Sequence, residues 1–334
     1  MSITPARKSS STIWNIVKII LALLLVGFVL SRTDLNQLRS LLAHISIPWL
    51  VGYIILFLSL TVLKAVQYYY LNGEGVSFPS VLNVVVMQNV ITNYFASTAG
   101  IASYLVLFRA EHGVKVGRSA VIFILTKIGD LIIIWVALCV SSLLVWQTID
   151  IFHNFVLAVA AGIGLVLLIF FLTVLFRQKF VLLLGKVLKT LRLSQLSFIQ
   201  KGMNTLDALS ETESDMVARM LVKAFGLSTI YFLFSIAWIY ASFQAFNFQQ
   251  DLRDIVFVST LMQMVSYVPI QIFGGLGVSE AGTLYFWTPF PVMQAELASV
   301  LIGNRIIFYL VNLLPLLYLP IYTLFLRPKD DPSS

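Results

Sequence analysis

The chain alternates between long apolar segments and short polar connections, and the apolar segments contain few charged residues. A helix needs about 20 predominantly apolar residues to cross a hydrocarbon core of about 30 Å. Because the apolar residues form continuous blocks rather than one face of an amphipathic helix, the pattern is typical of transmembrane helices. The predicted full spans are residues 13–30, 48–71, 119–146, 153–176, 217–243 and 293–326.

Two further apolar segments, 80–106 and 254–290, are predicted to enter the membrane and to return to the same side. Each contains a stretch that favours a break, at 93–100 in the first segment and at Pro269 with the glycine-rich stretch 274–277 in the second. Two arms of about a dozen residues, rising about 1.5 Å per residue, are too short to cross the bilayer. We therefore expect two re-entrant helical hairpins, which makes about eight membrane segments in total.

Basic residues in the connections orient these segments, because Lys and Arg concentrate on the cytoplasmic side of membrane proteins. They occur at the N-terminus, at 109–118, at 177–215 and in the tail after 326. We therefore expect both termini to be cytoplasmic. The 177–215 connection also mixes leucines with lysines. This pattern favours equally an interfacial helix on anionic head groups and a basic linker that only fixes the topology.

The order span, hairpin, span occurs twice, at 48–146 and at 217–326. The two hairpins would enter from opposite sides, so the two units would form an inverted repeat, a common plan of secondary transporters. When the second unit is aligned with the first by a shift of 175 residues, the two breaks coincide and Asp130 aligns with Arg305. We therefore predict an all-α integral membrane protein, a single polytopic domain over 1–334, with its site where the two units meet.

Composition agrees with this prediction and excludes several other classes of protein. Hydrophobic residues make up 59% of the chain and charged residues 11%, whereas soluble domains contain about 25% charged residues. The net charge of +7 lies mainly in connections, so it favours anionic lipids as partners and not nucleic acid. The single cysteine, Cys139, excludes an internal disulfide and a cysteine-based metal cluster. The sequence predicts no cofactor and no metal site.

Ionisable residues inside spans are energetically costly, so they are the first candidates for a functional site. Lys127 and Asp130 share a face of one predicted span, and Arg305 lies in the last span. We expect these three residues to line one polar cavity. The guanidinium group of Arg305 would bind a lipid phosphate there. The alternative is a Lys127–Asp130 pair that neutralises itself and only fixes packing. Lys64 and Lys223 lie near predicted span ends and are interpreted as snorkelling residues.

The stretch from Gly274 to Glu280 is the most unusual part of the chain. Glycines permit a sharp break, and the free N–H groups of the following half-helix would form an anion site. Glu280, in the first turn of that half-helix, would either complement its dipole or compete with an anionic ligand. A glycine kink that only allows tight helix packing is the alternative.

From Val268 to Gly282, followed by Asn304 and Arg305, the sequence resembles the transmembrane region of lysylphosphatidylglycerol synthase/flippase proteins and their stand-alone relatives. The shared pattern is a proline, then Gly-Gly-x-Gly-x-x-Glu, then a later arginine. The first half agrees more loosely, and its shared residues are Asn89, Asn93, Gly100, Lys127 and Asp130. It departs at Ala102-Ser103-Tyr104, where the family has Gly-Glu and a nearby Arg.

The resemblance implies a lipid flippase, which moves a phospholipid or a lipid-linked head group between the leaflets of a bacterial or archaeal cell membrane. We expect the lipid to be anionic or phosphate-bearing. The predicted substrate-binding residues are Asn93, Lys127, Asp130, Gly274, Gly275, Gly277, Glu280 and Arg305.

Bifunctional members of the family carry a separate soluble domain that attaches the amino acid. The chain ends at Ser334, soon after its last predicted span, so we expect that domain to be absent and the protein not to be an enzyme. The departure at 102–104 supports an alternative: a non-transporting membrane partner of a lipid-modifying or glycosyl-transferring enzyme.

Overall fold

Helices joined by short turns and connections make up the computed structural model over the residues that it describes, and it contains no strand there. The continuous described segments are 35–72, 76–95, 97–112, 116–190, 214–267 and 273–326, with isolated positions 24, 27, 31, 196, 200, 203 and 206. The principal helices are α1 (Leu35–Ala43), α2 (Ile47–Asn72), α3 (Phe78–Tyr94), α4 (Ser97–His112), α5 (Val116–Leu144), α6 (His153–Phe176), α7 (Gln178–Thr190), α8 (Ser214–Ala245), α9 (Leu252–Val265), α10 (Val278–Phe286) and α11 (Gln294–Val311).

Five helical segments of the described chain are long and apolar enough to cross a membrane. They are Ile47–Asn72, Ile122–Leu144, Asp150–Phe176, Val217–Ala245 and Gln294–Leu326. These segments match five of the six predicted spans to within a few residues. The sixth prediction, 13–30, falls outside the continuous described segments. An all-α membrane protein is therefore confirmed, whereas the number of crossings stays a prediction.

The last span is not the single continuous helix that the hydrophobic pattern predicted. After α11 the chain passes through a 3-10 turn (Leu314–Leu317), the short helix α12 (Tyr318–Ile321) and a π turn (Tyr322–Leu326). Two prolines account for the interruption, since Pro315 and Pro320 lack a backbone N–H and clash with the preceding turn of an α-helix.

The first predicted hairpin corresponds to α3 and α4, which pack against each other on either side of a short break. The helices contain 17 and 16 residues, so α3 rises about 26 Å. The arms are therefore longer than predicted, and their length alone does not exclude a crossing. Helix α3 ends at Tyr94 and α4 begins at Ser97, so the interruption is shorter than the predicted 93–100. Gly100 already lies within α4, where it contacts Thr92 so closely that no Cβ would fit.

The second predicted hairpin corresponds to α9 and α10, which are shorter, with 14 and 9 residues. Four residues of the break have positive φ angles: Phe273, Gly274, Gly275 and Gly277. Glycine adopts such angles without a steric penalty, so the glycine-rich sequence explains why the chain breaks here. The predicted contribution of Pro269 lies outside the described residues.

Helix α8 is central to the spans, because it packs along both α2 and α5. A Cβ added to Gly129 of α5 would lie 3.1 Å from Ala224 of α8, so the two helices approach closely at this point. Small residues commonly permit such close approaches between membrane helices.

Helix α7 occupies the start of the basic 177–215 connection and packs against α6. Lys179, Lys186 and Lys189 fall on one side of this helix, while Leu183 and Val187 fall on another and are exposed. The helix therefore has the amphipathic form that an interfacial helix requires. Its contact with a membrane surface remains a prediction.

Candidate membrane-embedded polar site

The two helix breaks are in direct contact with each other. The Phe273 N–H donates to the Phe95 carbonyl oxygen at 2.9 Å, which joins the second break directly to the first. Tyr309 of α11 adds to this junction, since its hydroxyl donates to the Phe273 carbonyl at 2.6 Å and its own carbonyl accepts from the Tyr94 hydroxyl at 2.5 Å. Asn93 also hydrogen-bonds Asn312. The predicted site residue Asn93 therefore links the two halves.

A second network holds the glycine-rich break against α11. The Arg305 guanidinium group donates through Nε to Glu280 Oε1 at 2.5 Å and through Nη1 to the Gly274 carbonyl at 3.1 Å. Its Nη2 group contacts Glu280 and the Ser279 hydroxyl. The second oxygen of Glu280 accepts from the Gly277 N–H at 2.7 Å, which caps the start of α10.

This network bears on two expectations for the second break. The guanidinium group of Arg305 is engaged by protein acceptors, so it is not open to a lipid phosphate in this conformation. Glu280 accepts from the Gly277 N–H at the start of α10, where its negative charge complements the helix dipole and would compete with an anionic ligand. Both side chains are largely buried, with 12% exposure for Arg305 and 5% for Glu280, so the pair is an internal ion pair and not a surface one.

A separate charge cluster joins α2, α5 and α8 around Asp130. The Asp130 carboxylate lies 3.1 Å from Lys64 Nζ and 2.7 Å from the Ser228 hydroxyl, and Gln67 Nε2 approaches it at 3.5 Å. Gln67 also accepts from Lys64 at 2.7 Å and donates to Ser228 at 2.8 Å. The carboxylate is therefore neutralised and hydrogen-bonded by residues of two other helices.

The interpretation of Lys64 as a snorkelling residue is wrong. Its side chain is 13% exposed, and its ammonium group lies against Asp130 and 4.5 Å from the centroid of the Tyr231 ring. The neighbour predicted for Asp130 on its own helix, Lys127, is more distant at 3.7 Å and is 40% exposed. Asp130 therefore pairs mainly with a lysine from another span. Lys223, by contrast, is exposed, and its role as a snorkelling residue stays a prediction.

The charged groups line two cavities instead of the single one that was expected. The larger cavity, about 490 Å³, contains Lys64, Lys127 and Asp130, and we call it the Lys127 cavity. The smaller, about 240 Å³, contains Glu280 and Arg305, and we call it the Arg305 cavity. Trp238 and Ile239 of α8 line both cavities and so lie between them.

The region of the chain that matches a known family covers nearly its whole length. Residues 15–315 match the family described as the lysylphosphatidylglycerol synthase TM region. The chain belongs to this family. No curated protein and no solved structure matches the chain. Membership of this family supports the conclusion that the chain is an integral membrane protein. It also indicates a lipid-related function in the membrane.

Within this lysylphosphatidylglycerol synthase TM-region protein, the predicted site residues fall into three places. Asn93 lies at the junction of the two breaks, Lys127 and Asp130 lie in the Lys127 cavity, and Glu280 and Arg305 lie in the Arg305 cavity. Gly274 lines the Arg305 cavity, and the other two predicted glycines, Gly275 and Gly277, belong to the same break. The structure brings the two halves together, but it does not place Asp130 and Arg305 in contact.

Sequence reasoning missed several residues of these networks: Lys64, Gln67, Ser228, Tyr231, Ser279, Tyr309 and Asn312. The sequence did contain a signal that could have identified Lys64 and Gln67. They are three residues apart, so they share a face of an otherwise apolar helix, and polar pairs of this kind are uncommon inside a span. Ser228 and Ser279 carried none, because serines in membrane helices commonly bond to their own backbone.

Gly274→Ala is expected to destabilise the protein by about 1–3 kcal/mol, because the residue has a φ of 64° and an L side chain is strained there. A Cβ at this position would also lie 2.9 Å from the carbonyl oxygen of Asn93, in the last turn of α3. Thermal unfolding of the purified protein in detergent measures the effect.

Gly226→Ala is the matched control for this substitution. Gly226 lies within α8, is exposed, and has no atom within 4 Å of an added Cβ. Alanine at an open helix position is expected to stabilise by about 0.5–1 kcal/mol. Equal unfolding temperatures for the two variants would show that the break does not depend on the glycine.

Among the residues that the structure describes, no three His, Cys, Asp or Glu side chains lie close enough together to hold a metal ion. The polar chemistry of the described site consists of two ion-pair networks and their hydrogen-bonding neighbours.

Proposed function

We propose that this protein is a lipid flippase that moves a phospholipid or a lipid-linked head group between leaflets. One observation carries the proposal: two broken helix pairs meet inside a membrane domain, and two charged cavities adjoin their junction. Charged groups inside a bilayer are costly and typically mark the path of a polar substrate. A lipid head group needs such a path, whereas its acyl chains can remain in the surrounding bilayer.

The mechanism that we propose uses Trp238 and Ile239, which lie between the two cavities, as the barrier that a head group must pass. Moving a polar head group from water into hydrocarbon without hydrogen bonds costs several kcal/mol. Polar side chains of the cavities would lower this cost, because they would form the hydrogen bonds that water formed with the head group. The broken helix pairs of the units 48–146 and 217–326 would alternate in opening around the remaining spans, as gating elements of inverted repeats do in secondary transporters. We expect this exchange to occur in the cell membrane with both termini in the cytoplasm.

Transport in reconstituted vesicles tests the proposal. The purified full chain is placed in liposomes that carry trace fluorescent phosphatidylglycerol, aminoacylated phosphatidylglycerol or a labelled polyprenyl phosphate. A membrane-impermeant quencher then reports how much label reaches the outer leaflet with time. We expect movement of at least one lipid well above the rate in protein-free vesicles. Rates equal to those of empty vesicles for all three lipids would reject the proposal.

A non-transporting partner of a lipid-modifying or glycosyl-transferring enzyme is the second candidate. It is favoured by the lack of an acidic or basic side chain at 102–104, where Ser103 donates to the Gly100 carbonyl and Tyr104 is buried. The two candidates differ under mutation. A partner should retain its function in cells, and should co-purify with an enzyme, when the Glu280–Arg305 pair is replaced.

A further inference from the structure

We propose that the Lys127 cavity is a binding site for an anionic phosphate group, with Lys127 as its ligand-binding cation and the Lys64–Asp130 pair as the element that positions it. In the cell the group would be the head group of an anionic phospholipid that bears no amino acid. This inference names the substrate class of the proposed flippase and rests on that function for its biological meaning, but the binding itself can be measured without any transport.

The charges of the cavity do not cancel. Lys64 and Lys127 each contribute a positive charge and Asp130 a negative one, so the described residues that line the cavity carry a net charge of +1. Asp130 is already satisfied, since Lys64, Ser228 and Gln67 all approach its two oxygens. The unbalanced charge therefore belongs to Lys127.

The ammonium group of Lys127 has no hydrogen-bond acceptor among the described residues, since its distance to Asp130 is 3.7 Å. An ammonium group has three N–H donors. Lys127 is also the more accessible lysine, with 40% exposure against 13% for Lys64. Its Nζ atom lies 5.7 Å from the centroid of the Phe123 ring and 5.4 Å from that of Tyr267, so aromatic faces hold the charge in place. These contacts leave its donors available to a ligand.

The size of the cavity suits a head group and not an entire lipid. Its volume of about 490 Å³ is within the range of small-molecule sites, roughly 300–1,000 Å³. A phosphate group on Lys127 would neutralise the cavity, whereas a cationic head group would add a second unbalanced charge. Like charges brought together at low dielectric repel strongly. We therefore expect the cavity to distinguish phosphatidylglycerol from its lysyl ester, whose two ammonium groups give the head group a net positive charge; the lysyl ester is the aminoacylated lipid used below.

The Arg305 cavity lacks this property. Glu280 and Arg305 sum to zero charge, and protein acceptors engage the guanidinium group at Nε, Nη1 and Nη2. Of the two cavities, the Lys127 cavity is therefore the one that favours an anion in this conformation.

Equilibrium binding to the purified full chain in a neutral detergent tests the inference. The probes are phosphatidylglycerol, phosphatidylcholine, aminoacylated phosphatidylglycerol and soluble glycerol 3-phosphate, and the last probe separates a lipid head group from a free phosphate. We expect phosphatidylglycerol to bind most tightly to the wild type. Lys127→Gln should weaken that binding about ten- to a hundredfold, as loss of a charge-assisted hydrogen bond does. Lys127→Glu should make the aminoacylated lipid the preferred ligand.

Lys223→Gln is the matched control, since it removes an exposed lysine on α8 that lies outside both cavities. It should leave phosphatidylglycerol binding within about twofold of wild type, as expected for an exposed charge. Equal affinities for Lys127→Gln and Lys223→Gln would overturn the inference, and so would tighter binding of the aminoacylated lipid by the wild type. Preferential binding of glycerol 3-phosphate would overturn the assignment to a lipid.

The outcome separates this inference from the proposed function. Lys127-dependent binding without any transport in vesicles would support the site and reject the flippase. Transport that is unaffected by Lys127→Gln would support the flippase and reject the site.

Discussion

Arg305→Met is expected to destabilise the protein by about 3–5 kcal/mol, because it leaves Glu280 as a buried carboxylate without its cation. Glu280 is 5% exposed, and its other oxygen is held by the Gly277 N–H, so the side chain cannot turn towards water without uncapping α10. The same substitution removes the contact that holds the Gly274 carbonyl against α11. We expect loss of transport together with the loss of stability.

Two comparison variants make this result specific. Arg305→Met combined with Glu280→Gln should recover much of the lost stability, because a neutral amide is less costly to bury and can still accept from Gly277. Arg253→Met removes an arginine that forms an exposed ion pair with Asp251. We expect this variant to lose about 1 kcal/mol or less of stability. Unfolding in mixed micelles measures all three. If Arg305→Met and Arg253→Met unfold alike, the Glu280 pair is not a structural element of the break.

Asp130→Asn is expected to have an effect of similar size, about 3–5 kcal/mol, since it leaves Lys64 as a buried ammonium group with no counter-charge. Asparagine keeps the shape of the side chain and can still bond Ser228, so the loss comes from the charge. The variant should insert in the membrane but unfold at a lower denaturant concentration.

Lys64→Met, introduced into the Asp130→Asn background, should restore most of that stability. Lys127 would then remain the cluster's only charged group, and its side chain is already largely accessible in the cavity. Asp150→Asn serves as the control, because this carboxylate is exposed and lies 3.6 Å from His153 at a helix start. A cycle of the two single variants and the double variant gives the coupling energy. A coupling near zero would contradict the assignment of Lys64 and Asp130 as a pair.

The hydrophobic pattern was sufficient to locate most of the helices. Continuous apolar blocks predicted 48–71 and 153–176, and the structure has α2 at Ile47–Asn72 and α6 at His153–Phe176. Burial in lipid requires that every backbone group be bonded within the helix, so composition and length alone nearly determine such elements. The glycines of the second break were also recognisable, because few other residues adopt positive φ angles.

The partners of the charged residues could not be predicted in the same way. Spacing along a helix pointed from Asp130 to Lys127, three residues away, whereas its closer partner, Lys64, is 66 residues distant in the chain. Arg305 of α11 reaches Glu280 beside a break whose geometry no periodicity describes. Both pairs depend on how helices pack, and packing follows from the complete three-dimensional arrangement of side chains. The two cavities were missed for the same reason.

The Asp130 cluster has a consequence for how the domain can move. Lys64 comes from α2, Asp130 from α5 and Ser228 from α8, so one set of polar contacts fastens three helices that belong to both predicted repeats. The close approach of Gly129 to Ala224 adds a tight packing contact between α5 and α8. The three helices therefore form a scaffold that should stay rigid, and the hinges should lie where α3–α4 and α9–α10 join it, not between the repeats.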